Sequence, residues 1–259
     1  MATGAHPWLL ELRGVVKRFG AVQALAGVDF EVDAGEVVGL VGDNGAGKST
    51  LVKVISGVHP ADAGEYRFAG RRVQVATPRA AAELGVQTVY QDLALCENLD
   101  VVANLHLGRE RARALFGPLA VLDELAMERR AFELVQELHV RIPTLRTAVA
   151  ALSGGQRQSV AVARAVMWDS KVVLLDEPTA ALGVEQTQQV KELIRNLRRR
   201  RLGVVVISHN LADVFEVTDR IVVLRQGRRV ASFDTGSATH QGVVASITGA
   251  ESGAVEPPA

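Results

Sequence analysis

The feature that most constrains this chain is a glycine-rich stretch directly after a short apolar run. Residues Gly42–Thr50 fit the pattern G-x-x-x-x-G-K-[ST] and follow the β-branched run Val37–Val41. Glycines let the backbone curl so that several N–H groups point at one anion, and a helix beginning near Lys48 adds the partial positive charge of its N-terminus. The lysine charge suits the β- and γ-phosphates of a nucleotide, and the Ser49 hydroxyl suits Mg²⁺. We expect the phosphates to be lined by Gly42, Asp43, Asn44, Gly45, Ala46, Gly47, Lys48, Ser49 and Thr50.

Short apolar runs rich in β-branched residues predict the strands of the fold. They are Val37–Val41, Val172–Leu175, Val204–Ile207 and Ile221–Leu224. Because these runs are continuously apolar rather than alternating, we expect strands that are covered on both faces, as in a parallel sheet. Helical stretches lie between them, at Lys48–Ser56 (ended by Gly57), Gln156–Trp168 and Glu185–Arg201. This alternation predicts an α/β fold.

Other regions depart from that rhythm. Residues 9–35 and 64–75 alternate over short stretches and predict an antiparallel side sheet. Residues 97–150 are rich in Ala, Leu, Glu and Arg, contain no good strand, and predict a helical insertion. We therefore expect one domain over residues 8–249, followed by a flexible tail over 250–259. Within the domain, the core and side sheet span about 8–95 and 165–249, and the helical subdomain spans about 96–164.

Composition narrows the range of partners. The 259 residues carry 29 Lys and Arg against 29 Asp and Glu, so the net charge is zero and we expect no nucleic-acid partner. No apolar run approaches the roughly 20 residues of a membrane helix. Met1–Leu10 lacks the basic residues of a signal peptide, and the single cysteine excludes an intrachain disulfide. We therefore expect a soluble, cytoplasmic protein that can still dock on a membrane partner.

Two carboxylates follow the apolar run Val172–Leu175. In a parallel α/β sheet, functional residues usually lie at the carboxyl ends of the strands. Asp176, Glu177 and the glycine-rich stretch would all lie there. Asp176 is suited to hold hydrated Mg²⁺, and Glu177 is suited to polarise an attacking water as a general base. These residues predict a nucleotide hydrolase or transferase.

A second potential anion site precedes the helix at Gln156. Ser153 is a good N-cap, and Gly154 and Gly155 free the following N–H groups. Alone, this segment would be interpreted as an ordinary capped helix. Taken in order with the other motifs, however, it makes the chain resemble the ATP-binding cassette (ABC) ATPase family. The matching motifs are Gly42–Thr50 (Walker A), Gln91 (Q-loop), Leu152–Gln156 (signature), Val172–Glu177 (Walker B) and His209 (switch histidine).

The resemblance implies a P-loop NTPase (RecA-like) core and a role for each matching residue. Gln91 would contact Mg²⁺ or the water, and His209 would bond the γ-phosphate. Phe19 would stack on adenine. Ser153, Gly154, Gly155 and Gln156 would cover the γ-phosphate bound by a second copy. The implied cofactors are ATP and Mg²⁺, with Ser49, Gln91 and Asp176 as metal ligands; the implied catalytic residues are Lys48, Gln91, Glu177 and His209.

The resemblance is closest to the monosaccharide-importer branch, in its single-cassette fructose- or ribose-type form. It implies an ATP-hydrolysing subunit on the inner face of the cytoplasmic membrane that forms an ATP-sandwich homodimer. The further partners would be membrane permease subunits and, indirectly, a sugar-binding protein. One position departs from the family, because Gly183 stands where an aspartate is usual, so the cross-subunit contact of that carboxylate is missing.

The helical insertion is expected to carry motion to the permease. Part of the surface of residues 92–116, which include Leu93, Leu95, Leu99, Val101 and Val102, would contact a cytoplasmic loop of that permease. Two alternatives remain open. One is an ABC ATPase without a permease that acts on ribosomes or DNA, although such proteins usually carry long coiled-coil insertions or two cassettes. The other is an ATP-dependent dimerisation module with negligible turnover.

Overall fold

A computed structural model describes residues 8–116 and 119–250. Its strands are β1 (Leu10–Phe19), β2 (Val22–Val32), β3 (Val37–Val41), β4 (Ala63–Phe68), β5 (Arg71–Val73), β6 (Val86–Val89), β7 (Ala112–Phe116), β8 (Leu119–Leu122), β9 (Val172–Asp176), β10 (Gly203–Ile207), β11 (Arg220–Arg225) and β12 (Arg228–Asp234). Its α-helices are α1 (Lys48–Ile55), α2 (Pro78–Leu84), α3 (Val101–His106), α4 (Glu124–Glu137), α5 (Gly154–Val166), α6 (Val184–Arg199), α7 (Leu211–Val217) and α8 (His240–Thr248).

The central sheet has the strand order β12-β11-β3-β10-β9-β6. Every neighbouring pair is parallel except β11 with β12. The predicted α/β fold with a parallel core is therefore confirmed. The predicted helices agree with α1, α5 and α6 to within a few residues, and Gly57 ends the first of them in the left-handed conformation.

Both faces of the central sheet are buried, as the continuous apolar runs predicted. Along β9, Val172 and Leu174 face one cluster while Val173 and Leu175 face another. The first cluster includes α1 and a side sheet of order β2-β1-β4-β5, in which neighbouring strands are antiparallel. The second cluster is formed with α3, α4, α5 and α6. Helix α1, which follows the phosphate-binding stretch, and the helical insertion thus lie on opposite faces of one sheet.

The expectation that residues 97–150 contain no strand is wrong, because β7 and β8 form an antiparallel hairpin there. The sequence of this segment has helix-forming residues, but only nine separate Gly108 from Pro118. A helix that short is marginal in water, because few hydrogen bonds offset the cost of nucleation. The rest of the insertion is built around α3 and α4, as predicted.

The insertion shares its core with the central sheet. Leu105 of α3 and Leu134 of α4 belong to the same buried cluster as Leu175 and Val206. The proposed boundary near residue 164 falls within α5, which extends from the tip of the insertion to the base of β9. Residues 251–259 of the expected tail lie outside the described residues. Within the described ranges, no helix is long and apolar enough to cross a membrane.

Candidate nucleotide site

The phosphate-binding stretch forms a tight loop between β3 and α1. Gly42 has φ 151° and Gly47 has φ 105°, both in the region that favours glycine. A Cβ on Gly42 would lie 2.2 Å from the carbonyl oxygen of Leu224, and one on Gly47 would lie 2.8 Å from the carbonyl oxygen of Ala24. Gly47 is the N-cap of α1, and no described side chain caps this helix. The loop therefore presents backbone N–H groups at a helix N-terminus, which is a site for an anion.

Lys48 lies at the centre of this loop. Its Nζ donates hydrogen bonds to the carbonyl oxygens of Gly42 (2.6 Å) and Asp43 (3.0 Å), so the ammonium group is held over the curled backbone. Burial lowers the pKa of Lys48, while the nearby negative charges of Glu177, Asp43 and Asp176 oppose that shift. The remaining residues of the predicted stretch are Asn44, Gly45, Ala46, Ser49 and Thr50, and they complete the same loop and the first turn of α1.

Asp176 and Glu177 lie at the carboxyl end of β9. Burial raises the pKa of the Asp176 carboxyl, and the adjacent Glu177 raises it further, while Lys48 and Lys53 oppose the shift. Glu177 has φ 50°, which is unusual for a residue with a side chain. Strained backbone of this kind costs on the order of 1–3 kcal/mol and clusters at functional sites.

His209 meets Glu177 across the ends of neighbouring strands. Its Nδ1 lies 2.9 Å from Oε2 of Glu177, and the backbone N–H of Glu177 donates to the carbonyl oxygen of Ile207 at 2.9 Å. The His209 ring is largely exposed, whereas the Glu177 side chain is mostly buried. The structure therefore brings the predicted base and the predicted switch histidine together, with the Lys48 charge close to the same carboxylate.

The predicted metal ligands fit Mg²⁺ in their chemistry. Ser49 offers a hydroxyl, Gln91 an amide oxygen and Asp176 a carboxylate, and Mg²⁺ prefers oxygen ligands of this kind. Ser49 is in the first turn of α1, Asp176 ends β9, and Gln91 follows β6, the strand next to β9.

Phe19 ends β1, and the residue is 44% exposed, so it is open to solvent at the end of the strand. The ring of His59 approaches it edge-on, with 5.1 Å between centroids and 72° between planes. Lys17 Nζ lies 5.6 Å from the Phe19 centroid and also donates to Asp62 Oδ1 at 2.8 Å. The loop after α1 thus braces the aromatic ring at the end of β1.

The predicted signature residues form the N-terminus of α5. Ser153 Oγ accepts from the backbone N–H of Gln156 (3.3 Å), and Gln156 Oε1 accepts from that of Ser153 (2.9 Å). A Cβ on Gly154 would lie 2.9 Å from Leu182, and one on Gly155 would lie 2.9 Å from Gln186. No hydrogen bond or ion pair among the described residues joins these four positions to residues 42–50. They form a separate helix tip packed on the segment that follows Glu177.

A groove of about 220 Å³ lies beside Gln91, between the segment after β6 and the end of α3. Leu93, Leu107, Arg109 and Trp168 are among its lining residues. Arg164 of α5 also lines the groove and holds the segment after β6 in place by donating to the carbonyl oxygens of Leu93 (2.8 Å) and Ala94 (2.7 Å).

This geometry corrects one expectation about residues 92–116. Val101 and Val102 are buried in the core, so they are not available to contact a partner. Leu93 and Leu95 are partly buried and pack against the same cluster. Leu107, by contrast, is 44% exposed at the groove.

Sequence reasoning missed Asp213, a buried acid on α7 that bonds Thr179 and Asn210. The spacing from Asn210 to Asp213 fits an N-cap followed by an acid three residues later. This spacing can be read from the sequence, but it predicts a capped helix and gives no indication of the functional site. The contact with Thr179 depends on the fold alone.

Comparison with known proteins agrees with this geometry. A family model described as "ABC transporter" matches residues 25–180. The chain is 50% identical to the xylose/arabinose import ATP-binding protein XylG of Sulfolobus acidocaldarius, over 85% of this chain and 86% of that protein. It is 47% identical to the fructose import ATP-binding protein FrcA of Rhizobium meliloti, over 96% of each. A crystal structure of a nucleotide-free ATP-binding cassette from an ABC transporter superposes with a TM-score of 0.74 at 26% identity, covering 88% of this chain and 91% of that one.

Proposed function

This chain belongs to the ABC transporter family of ATPases, and from that membership we propose that it energises the uptake of a monosaccharide across the cytoplasmic membrane. The observation that carries the catalytic part is the 2.9 Å contact between His209 and Glu177, next to the Lys48 loop. The names of XylG and FrcA support the sugar-import part, because both describe sugar import.

ATP binding is assigned to the loop over residues 42–50 and to Phe19. The N–H groups of the loop and the Lys48 ammonium neutralise the phosphates, while the exposed Phe19 face stacks on the base. Ser49, Gln91 and Asp176 would hold Mg²⁺, which would neutralise phosphate charge when bound.

Hydrolysis is assigned to Glu177 and His209. Glu177 accepts a proton from the attacking water, so its carboxylate must be ionised and correctly aimed. His209 holds that carboxylate through Nδ1, which fixes its orientation before the reaction begins. The Lys48 ammonium stays close to the phosphates and stabilises the charge that develops in the transition state.

Glu177→Gln tests this assignment. The amide cannot accept the proton, so we expect phosphate release to fall about a hundredfold or more, while ATP binding persists. The variant should accumulate as an ATP-bound dimer in size-exclusion chromatography with Mg²⁺ and ATP. Glu83→Gln, on the exposed face of α2, is the matched control and should hydrolyse ATP normally. Wild-type turnover by Glu177→Gln would show that the assigned base is wrong.

We further propose that two copies sandwich ATP and that a permease loop contacts the groove beside Gln91. The groove is open, half-apolar and tied to α5 by Arg164, so a partner seated there would contact the helix that begins at Ser153. In this proposal the protein acts on the inner face of the membrane. Cysteine crosslinking from Leu107 and Leu93 to the permease tests the contact; an absence of crosslinks anywhere over residues 92–116 would contradict it.

The class of transported substrate can be tested in the cell that makes this protein. A chromosomal Glu177→Gln substitution should abolish uptake of one labelled monosaccharide from a panel containing xylose, arabinose, fructose and ribose. Uptake of labelled amino acids is the control and should not change. Unchanged uptake of every sugar, or a loss confined to amino acids, would contradict the sugar assignment.

A further inference from the structure

Asp213 is a buried carboxylate that the proposed mechanism does not use. It lies in the first turn of α7, and its side chain is 12% exposed. Its Oδ2 accepts hydrogen bonds from Thr179 Oγ1 at 2.9 Å and from Asn210 Nδ2 at 3.0 Å. Its Oδ1 lies 3.3 Å from Nζ of Lys191, which is itself 6% exposed. All these contacts converge on one carboxyl group.

The partners of Asp213 come from different parts of the proposed site. Thr179 follows Glu177 by two residues, and Asn210 directly follows His209. Lys191 is on α6, the helix whose first turn packs against Gly155 of the signature tip. Asp213 therefore connects the segment that carries the base, the segment that carries the switch histidine and the helix behind the signature tip.

The backbone beside His209 is fixed from several sides. Asn210 Oδ1 accepts from the N–H groups of Ala212 (3.1 Å) and Asp213 (3.4 Å), so it caps α7 while its Nδ2 bonds Asp213. The Asn210 N–H donates to Ser208 Oγ at 3.0 Å. Because His209 lies between Ser208 and Asn210, a shift of Asp213 would move the imidazole relative to Glu177.

Because the charge of Lys191 is buried, this arrangement depends on the Asp213 carboxylate that pairs with it. Burial alone would lower the pKa of Lys191, but hydrogen bonds to Glu216 and Asp213 raise it above its ordinary value, so the side chain stays charged. Glu216 also pairs with Arg195 at 2.6 Å. Glu216 shares Lys191 with Asp213, but within the described part of the chain Thr179 and Asn210 bond Asp213 and not Glu216.

We propose that Asp213 is a positioning residue for ATP hydrolysis: through Thr179 and Asn210 it holds the Glu177 and His209 segments at the separation that catalysis needs. This inference rests on the proposed ATPase function. No hydrogen bond or ion pair among the described residues joins the Asp213 side chain to residues 42–50, so its loss should lower kcat and leave the KM for ATP nearly unchanged. A displacement of about 1 Å in catalytic groups can cost about a hundredfold in rate.

Two conservative variants that spare the buried charge provide the first test. Thr179→Val removes one hydroxyl donor, and Asn210→Ser keeps a capping oxygen but removes the amide donor. We expect each to lower kcat about tenfold, with the KM for ATP within about twofold of wild type. If Thr179→Val and Asn210→Ser both retain the wild-type kcat, the proposal is overturned.

A comparison of Asp213→Asn with the control Glu216→Gln distinguishes a positioning role of Asp213 from the simple loss of an ion pair with Lys191. Asp213→Asn should lower kcat about tenfold to a hundredfold, and Asp213→Glu should restore part of that loss. Glu216→Gln removes the other acid on Lys191 but leaves the Asp213 contacts with Thr179 and Asn210 intact, so it should keep kcat within about twofold. An equal loss in Glu216→Gln, or a fall in kcat matched by an equal rise in KM, would contradict positioning.

A double-mutant cycle completes the test. If Asp213 and Thr179 act as one unit, the double variant should lose no more activity than Asp213→Asn alone, whereas independent effects would multiply. The ATPase activities of the wild type and of Glu177→Gln are measured together with that of the double variant. A wild-type chain without Mg²⁺-dependent ATPase activity would overturn the proposed function and this inference together; an active wild type with unaffected Asp213 variants would overturn this inference alone.

Discussion

At the scale of single residues, the site depends on two unusual backbone conformations. At Gly42 only glycine fits, because any Cβ there would collide with the carbonyl oxygen of Leu224 while the backbone stays at φ 151°. Glu177 is the opposite case, since a residue with a side chain is held at φ 50°. That strain persists because its neighbours hold it: its N–H donates to the carbonyl oxygen of Ile207, and its carboxylate lies 2.9 Å from Nδ1 of His209. Both constraints fix groups of the proposed nucleotide site.

Phe19→Ala should weaken ATP binding without stopping catalysis. Stacking of an aromatic ring on a base contributes about 1–3 kcal/mol, so we expect the KM for ATP to rise about fivefold to 150-fold while kcat stays similar. Phe19→Tyr should behave like wild type because it keeps the π face. Val22→Ala, at another exposed apolar position nearby, is the control. Competition by inorganic tripolyphosphate should be unchanged in Phe19→Ala; weaker competition would place Phe19 at the phosphates instead.

The sequence was sufficient for the site residues whose chemistry is local. Lys48, Asp176 and Glu177 follow central strands or begin the helix after one, and this context predicts that they lie at one edge of the sheet. His209 is expected only from the family resemblance, with the γ-phosphate as its partner, so its contact with Glu177 was not predicted. The sequence could not predict the Asp213 contacts with Thr179 and Lys191, because those join segments far apart in the chain. Side-chain geometry of this kind depends on how helices pack, which periodicity does not encode.

At the scale of elements, the helical insertion is where prediction and structure differ most. Its apolar residues predicted helices correctly for α3 and α4, but the β7–β8 hairpin replaced a helix where the stretch was short. The valines expected to face a partner turned out to face the core, because α3 presents Val101, Val102 and Leu105 to α5 and the central sheet. Apolar residues alone do not reveal whether a helix face contacts the core or a partner.

Buried His106 should make the stability of the insertion depend on pH. The side chain is fully buried in α3, its Nδ1 bonds the carbonyl oxygen of Val102 at 3.0 Å, and its ring lies edge-on to Trp168. Burial lowers the pKa of His106 below its ordinary 6.5; Arg111 and Arg130 lower it further, while the bond to Val102 and the charge of Glu110 oppose the shift. Between the folded and unfolded pKa values the unfolded chain binds more protons, so stability falls as pH drops below about 6.5.

The measurement is denaturant unfolding at pH 7.5 and pH 5.5, followed by Trp168 fluorescence. We expect the wild type to lose more stability between these values than His106→Phe, which keeps a ring but cannot titrate. His240→Gln, at an exposed position, should retain the wild-type pH dependence. An identical pH dependence in His106→Phe would mean that other groups account for the acid sensitivity.

At the scale of the whole molecule, the two anion-binding helix ends are in different places. The start of α1 carries the phosphate loop, whereas the start of α5 packs on Leu182 and Gln186. A triphosphate held by the first end can meet the second end of another copy, and this contact would make dimer formation depend on ATP. Gly183 lies between Glu177 and α6, and a Cβ at this position would lie in open space. The structure therefore has room for the aspartate that is usual in the family, although this sequence has glycine there.

A mixing experiment tests whether each site is shared between copies. Lys48→Ala disables the phosphate loop, and Ser153→Arg disables the exposed α5 tip without burying the new charge. Each variant alone should be inactive. In a mixture, about half of the dimers are mixed, and each has one intact site, so about a quarter of wild-type activity should return. Mixing Lys48→Ala with the Lys48→Ala, Ser153→Arg double variant leaves no intact site and must stay inactive. If the first mixture gains nothing over its separate components, each nucleotide is hydrolysed within a single chain.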